Sequence, residues 1–570
     1  MPRQYGYLNS KSHLATLALA GLLWAVPAGA ARLDKIDSLV SRNAAQGPGE
    51  QRCILQFDTA PTGPQATLYE RMGVRLGASL AGGKQRVVSL TPDALATITD
   101  DPRVMRVSAD TPVTATLVNA TQTIAGPTAA WKGSLKKTLG YEGKGVNIAV
   151  IDSGIAQVHG LKERIIQSVE ISNAMASVSP GRFSTDEYGH GTHVAGIIAG
   201  TARPDQGAEV TGVAPGAGLI SVKVLDAAGG GFTSDVIAAL DWCTANQAKL
   251  KISVINLSIS HIPAESYTTD PLCEAVERAY NSGITVVCSA ANWGSLGYGT
   301  IGVPGNDPYV ITVGSSNDAD TPDRSDDWVD TYSSRGPTVF DHILKPDLVA
   351  PGNRITSWAA PDSTLYNTPG VVHSGTAAPN GFQPFMALSG TSMAAPMVSG
   401  VAALMIEQDE TLSPDQIKAR LMVSAEKRRE DVFTRGSGYL DAAAALSTVA
   451  DTAPFVADSP TVVQNQDGTC SFYDTITGDR VVWGDRVVWG DRVVWGDRVV
   501  WGDSVVWGDR VVWGDSVMWG DRVVWGDSVI WGDRVVWGDR VVWGDLVVWG
   551  DRVVWGDRVV WGDMPAAPLA

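Results

Sequence analysis

Three widely separated residues have types that can carry out acyl transfer together: Asp152, just after the apolar run VNIAVI; His190, in GHGTHVAG; and Ser392, in SGTSMAAP. A serine hydroxyl is a weak nucleophile near neutral pH, so an imidazole has to take its proton as it attacks. The imidazole in turn needs a carboxylate on its other ring nitrogen, to hold the tautomer and favour the imidazolium that forms. Each residue also has a plain structural reading. Ser392 could cap a helix with Pro396 in the tolerated first turn, Asp152 could cap a turn, and His190 could be a solvated or metal-binding ring. None of those readings accounts for all three motifs. His193 completes an H-x-x-H, but the spacing lacks the i, i+4 pair and the glutamate of a metalloprotease helix, which argues against a zinc site.

From about Gly140 to Leu446, short apolar runs (VNIAVI, LISVKVL, ISVINLSI, ITVVCSA) alternate with helical stretches such as SDVIAALDWCTAN and PLCEAVERAYNSG. That alternation predicts an α/β domain, a doubly wound parallel sheet with helices on both faces, whose sites lie at the carboxyl ends of strands. Asp152 ends one such run and His190 opens the helical run HGTHVAGIIAG. Ahead of this domain, from Gln51 to about Ala115, the runs CILQF, RVVSL and RVMRV alternate with ATLYERM and PDALATIT, as expected of a small α+β domain. Residues 31–50 form a polar lead-in without clear periodicity.

Seven stretches together resemble the subtilases, the subtilisin-like serine endopeptidases: VIDSG, GHGTHVAG, GVAPGAGLISVKVL, VINLS, YSSRGP, KPDLVAPG and SGTSMAAP. The triad order of that family, Asp then His then Ser, is the order found here. The resemblance implies a catalytic domain over 116–450, with Asp152, His190 and Ser392 as its triad and Asn292 as the oxyanion donor, acting with the N–H of Ser392. It implies that Ser258, Ile259 and Ser260 are the edge that pairs with a substrate backbone, by strand addition. Three departures bear on specificity. Ala291, Ser260 and His261 stand where the family usually has glycine; Ala291 is expected to narrow the primary pocket, and Ser260 and His261 to alter the preferred side chain. The segment 51–115 resembles an inhibitory propeptide, which implies self-cleavage between about Asp110 and Thr128. No cofactor is required for the chemistry. The resemblance allows structural calcium, although the acidic run 318–328 matches no fixed calcium loop and is read as solvated. The segment 359–387 either walls the cleft or is a surface insertion.

The N-terminus carries Arg3 and Lys11, an apolar stretch from Leu14 to Val26, and small residues at Ala28 and Ala30, which predicts a secretory signal over 1–30. The stretch is shorter than the roughly 20 apolar residues of a membrane span. A secreted or surface-associated protein follows, and a net charge of −17 with no basic footprint excludes nucleic acid as a partner. Cys288, inside an apolar run, is read as a buried free thiol.

A linker over 451–479 leads to 480–563, where [R/S/L]-V-[V/M/I]-W-G-D repeats fourteen times and carries fourteen of the twenty tryptophans; a short tail, 564–570, follows. An even period keeps each position on one face of an extended chain, and a segment this rich in Val and Trp is too apolar for a solvated linker. Stacked short strands, as a solenoid or meander, are expected. The array could instead be an adhesive tail for a surface polymer or glycan, and the rival to a peptidase is then a scaffold protein with an inactive protease domain.

Overall fold

The computed structural model describes residues 32–46, 49–115, 140–178, 183–201, 210–319, 324–426, 430–448, 457–464 and 470–473, and the backbone of most of 480–559. The signal read at 1–30, the tail and most of the linker lie outside the described residues.

The lead-in holds a helix, α1 (Ser38–Gln46), that its polar composition concealed. Asp37 makes it possible: one carboxylate oxygen accepts from Val40 N at 2.6 Å and the other from Ala109 N. Behind it come β1 (Gln51–Phe57), α2 (Gly63–Arg71), β2 (Arg75–Leu80), β3 (Gln85–Leu90), α3 (Pro92–Thr99) and β4 (Val104–Ala109), with the strands in one sheet ordered β2-β3-β1-β4. Proline follows the cap threonine at α3, and Thr91 Oγ1 accepts from Ala94 N at 3.3 Å. The period of two in β1 divides its side chains between two cores. Cys53, Leu55 and Phe57 pack with Leu95 and Ile98 of α3, whereas Ile54 faces the larger domain.

That larger domain is built on a mixed sheet of β6 (Asn147–Asp152), β7 (Ile165–Ser172), β8 (Met175–Val178), β9 (Gly218–Lys223), β11 (Ile252–Leu257), β13 (Thr285–Ser289), β14 (Ile311–Asn317), β15 (Trp328–Val329) and β16 (Leu348–Pro351). Seven of the strands run parallel, as expected; β8 and β15 pair antiparallel at the edges, so the sheet is not parallel throughout. Alternation again assigns the faces. Ile148 and Val150 pack under α4 (His190–Ala199) and α7 (Thr391–Gln408), while Ala149 and Ile151 pack under α5 (Thr233–Leu250) and α6 (Pro271–Asn281).

The N-terminal sheet sits on α5 and α6. Ile54, Leu80 and Val87 join their core, each burial worth ~1.5–3 kcal/mol. Polar groups fix the register of the dock. Asp110 accepts from Ser234 N and Ser234 Oγ, both at 2.9 Å, at the start of α5; Glu274 accepts from Gln85 Nε2 at 2.6 Å; and Glu265 accepts from Arg106 Nε at 2.7 Å. From this dock β5 (Pro112–Ala115) enters the larger domain and pairs antiparallel on both sides, with β10 (Gly230–Phe232) and with β12 (Ile259–Ser260). Val113 is fully buried between them.

In the repeat region the backbone pairs in parallel at an offset of two hexapeptides, Arg486 with Arg498, Gly490 with Gly502, Val493 with Val505 and Trp495 with Trp507, after a one-residue register shift between Val482 and Trp483.

Candidate active site

Asp152 is the last residue of β6, His190 the first of α4 and Ser392 the second of α7; all three are fully buried. His190 Nδ1 stands 2.8 Å and 2.9 Å from the two carboxylate oxygens of Asp152, and Asp152 Oδ1 also accepts from Ser153 N at 2.7 Å. An ionised carboxylate only accepts, so Nδ1 carries the proton and Nε2 keeps its lone pair. That Nε2 is buried with no hydrogen-bond partner among the described residues.

The start of α4 is held by a residue that the sequence reading missed. Asp186 accepts from Gly189 N at 2.7 Å, Thr192 N at 2.8 Å and Thr192 Oγ1 at 2.6 Å; burial pushes its pKa up, against the pull of those donors. Its spacing ahead of the helix, Asp-x-x-Gly-His, is a capping signal that could have been recognised. Gly191 allows a close approach: a Cβ there would lie 2.2 Å from Gly154 O, so the first turn of α4 could not lie against the loop after Asp152 with any other residue. Segment 359–387 braces the approach from the other side, where Thr364 N and Leu365 N donate to the carbonyls of Glu187 and Tyr188, both at 2.9 Å. It therefore backs the loop leading into His190.

Ser392 lies within the helix rather than at its cap, which Gly390 occupies; Pro396 is past the first turn. Ser392 Oγ donates to Ser258 O at 2.9 Å, and Ser258 Oγ donates to Ser392 O at 3.0 Å. Asn292 Oδ1 accepts from Thr391 N at 3.0 Å and Thr391 Oγ1 at 3.1 Å, which orients the amide. Its Nδ2 is left buried with no partner among the described residues. An amide donor without an acceptor costs about 1–3 kcal/mol to bury, so this amide is suited to donate to a partner oxygen at the site.

Ile259 and Ser260 pair with Ala115 and Thr114, and Ser260 Oγ, also buried, has no partner among the described residues. His193 is separate from this constellation. Its Nε2 is 3.0 Å from Ile355 O and 3.1 Å from Met386 O, and burial lowers its pKa to about 3, so it stays a neutral ring tying β17 (Ile355–Trp358) to β19 (Phe385–Leu388), which also pairs with β18 (Val372–Ser374). Cys288 is buried and unbridged, and burial raises its thiol pKa. Part of the acidic run, 320–323, lies outside the described residues. Among the described residues no three or more His, Cys, Asp and Glu side chains group as a metal would require.

Residues 143–439 match the subtilase family. The chain belongs to that family. It is 36% identical over 306 residues to serine protease AprX of Bacillus subtilis (strain 168), covering 53% of this chain and 66% of that protein. Subtilisin DY of Bacillus licheniformis is 33% identical over 308 residues, 54% of this chain and 92% of its own. The extracellular serine proteinase of Thermus sp. (strain Rt41A) is 32% identical over 401 residues, 69% and 82% of the two chains. Among solved structures, fervidolysin from Fervidobacterium pennivorans shares the fold, with a TM-score of 0.56 at 22% identity over 75% of this chain and 68% of that one.

Proposed function

We propose that this protein is a secreted serine endopeptidase that hydrolyses peptide bonds through an acyl-enzyme. Ser392 Oγ attacks the scissile carbonyl and its proton passes to His190 Nε2. Asp152 keeps the imidazole in the accepting tautomer and offsets the charge it gains. The carbonyl oxygen, now anionic, takes hydrogen bonds from Asn292 Nδ2 and from the N–H of Ser392 in the first turn of α7. Collapse breaks the C–N bond, and the imidazolium returns the proton to the leaving amine. Water, deprotonated by the same nitrogen, then releases the acyl group. The observation that carries this reading is the pair of orphaned polar atoms, His190 Nε2 and Asn292 Nδ2, the second on an amide that Thr391, the chain neighbour of Ser392 at the helix start, holds in place.

The substrate backbone adds a strand between β10 and β12, as Pro112–Ala115 does within this chain. That occupancy supports reading 51–115 as a propeptide that blocks the cleft and is then cut away by the enzyme itself; of the expected window for that cut, 116–128 lies outside the described residues. Export is supported by the leader and by a relative described as extracellular. The twelve-residue offset supports a coil of two hexapeptides per turn for 480–563, a surface-binding module with no catalytic part. Labelling of the processed protein by a fluorophosphonate, with Ser392→Ala as control, tests the central reading. A labelled wild type and an unlabelled variant are expected; an unlabelled wild type favours a scaffold with a dead protease domain.

A further inference from the structure

We infer that this enzyme cuts after small side chains, alanine, serine or threonine, and that it releases its own N-terminal domain by cutting after Thr116. The inference rests on the nucleophile and oxyanion donor proposed above. A carbonyl attacked by Ser392 with its oxygen on Asn292 belongs to a residue held between two backbone segments, 258–260 and 290–292. A third segment ties these two together: Gly302 N donates to Ala290 O at 3.1 Å, and His261 and Val303 exchange both backbone bonds at 3.2 Å and 3.0 Å. The side chain before the scissile bond enters the slot that the three segments enclose.

The width of that slot is readable at Gly302. A Cβ there would stand 3.0 Å from Ser260 Cβ, 3.1 Å from Ala291 Cβ and 3.1 Å from Trp293 Cζ3. Side chains from two walls converge where even one more methyl would be crowded, and a ring would have to displace them from a close-packed interior. Ser260 and Ala291 are 1% and 0% exposed, so neither has solvent to swing into. Ala291 keeps its methyl there with φ at 83°, a conformation that glycine would adopt without strain. The chain's own segment fits the same rule. Thr114 pairs with Ser260 and Ala115 with Ile259, so counting one residue further along the sequence puts the cut after a small residue, Thr116.

The test uses processed enzyme and four peptide amides identical except for Ala, Thr, Leu or Phe before the scissile bond. kcat/KM for Ala and Thr should exceed that for Phe by at least about tenfold, the scale of a steric misfit in a closed pocket. In Ser260→Gly/Ala291→Gly the Phe-to-Ala ratio should rise by about tenfold or more. The first N-terminus formed on processing should be Leu117. Equal or better hydrolysis of the Phe peptide by wild type, or a ratio unmoved in the double variant, overturns the small-pocket claim, and a different first N-terminus overturns the register. A protein that cuts none of the four and takes no fluorophosphonate overturns the peptidase reading itself, and the inference with it.

Discussion

Ser392 and Ser258 hold each other through a reciprocal pair of hydrogen bonds, hydroxyl to carbonyl in both directions, at 2.9 Å and 3.0 Å. Pro396 explains half of the pair. In a helix, Ser392 O would accept from the N–H of residue 396; proline has none, and the Ser258 hydroxyl supplies the missing donor. One side chain thus links the strand proposed to receive substrate to the helix turn that holds the proposed nucleophile. Asn256 Nδ2, 3.0 Å from Ser258 Oγ, holds that hydroxyl in place.

Ser258→Ala should leave the Ser392 carbonyl unpaired at a cost of about 1–3 kcal/mol. Thermal unfolding is expected at lower temperature, and fluorophosphonate labelling should slow because the nucleophile turn is less well held. Unchanged melting together with unchanged labelling would show that the pair has no mechanical role.

Asn292→Leu removes the orphaned donor while keeping bulk. The loss reported for such a donor in subtilisin itself, about 10²–10³ in kcat, is the expected scale here, with KM little altered. Steady-state kinetics on one peptide amide separate the two constants. A change confined to KM would mean that the amide binds ground-state substrate instead of the oxyanion.

The dock holds carboxyl protons that these groups would release in water. Burial, then the neighbouring Asp270, pushes the Glu265 pKa up, and Asp37 is also raised by burial, with Arg106 the opposing cation. Between the ordinary carboxylate pKa and the raised one, the docked form binds protons that the separated form has released. Docking is therefore fully favoured below that window and weakens as pH rises through it. After self-cleavage the N-terminal fragment should co-elute with the larger domain at pH 5.5 and dissociate at pH 8.5. Glu265→Gln should flatten that dependence; tighter retention at high pH would contradict it.

Ala291 is a non-glycine residue at positive φ, a strain of about 1–3 kcal/mol. Ala291→Gly relieves it and adds back some freedom to the unfolded chain, so the variant should be more stable by about 1 kcal/mol, read by denaturant midpoint. A lower midpoint would mean that the methyl supplies packing worth more than the strain.

Strand runs such as ITVVCSA and the capped helix at Pro92 were legible because period and cap chemistry are local, and so was the placing of Asp152 at a strand end. The helix at Ser38 was not: it depends on Asp37 accepting from Ala109, seventy-two residues away. β2 alternates exposed and half-buried residues at a sheet edge and left little apolar trace. The Asp-x-x-Gly cap before His190 is a local pattern in the sequence. The convergence of Ser260, Ala291 and Trp293 on Gly302 cannot be read from any one stretch, since it joins segments brought together only by the sheet. Ala291 alone pointed to a narrowed pocket, without its floor.

The most direct measurement is acyl-enzyme trapping: enzyme mixed with an alanyl peptide ester, quenched in acid within the first turnover and mapped by mass. The acyl group is expected on the peptide containing Ser392 in wild type, and turnover is expected to be lost in Ser392→Ala. Turnover that persists in that variant, or an acyl group found on any other residue, would contradict the account.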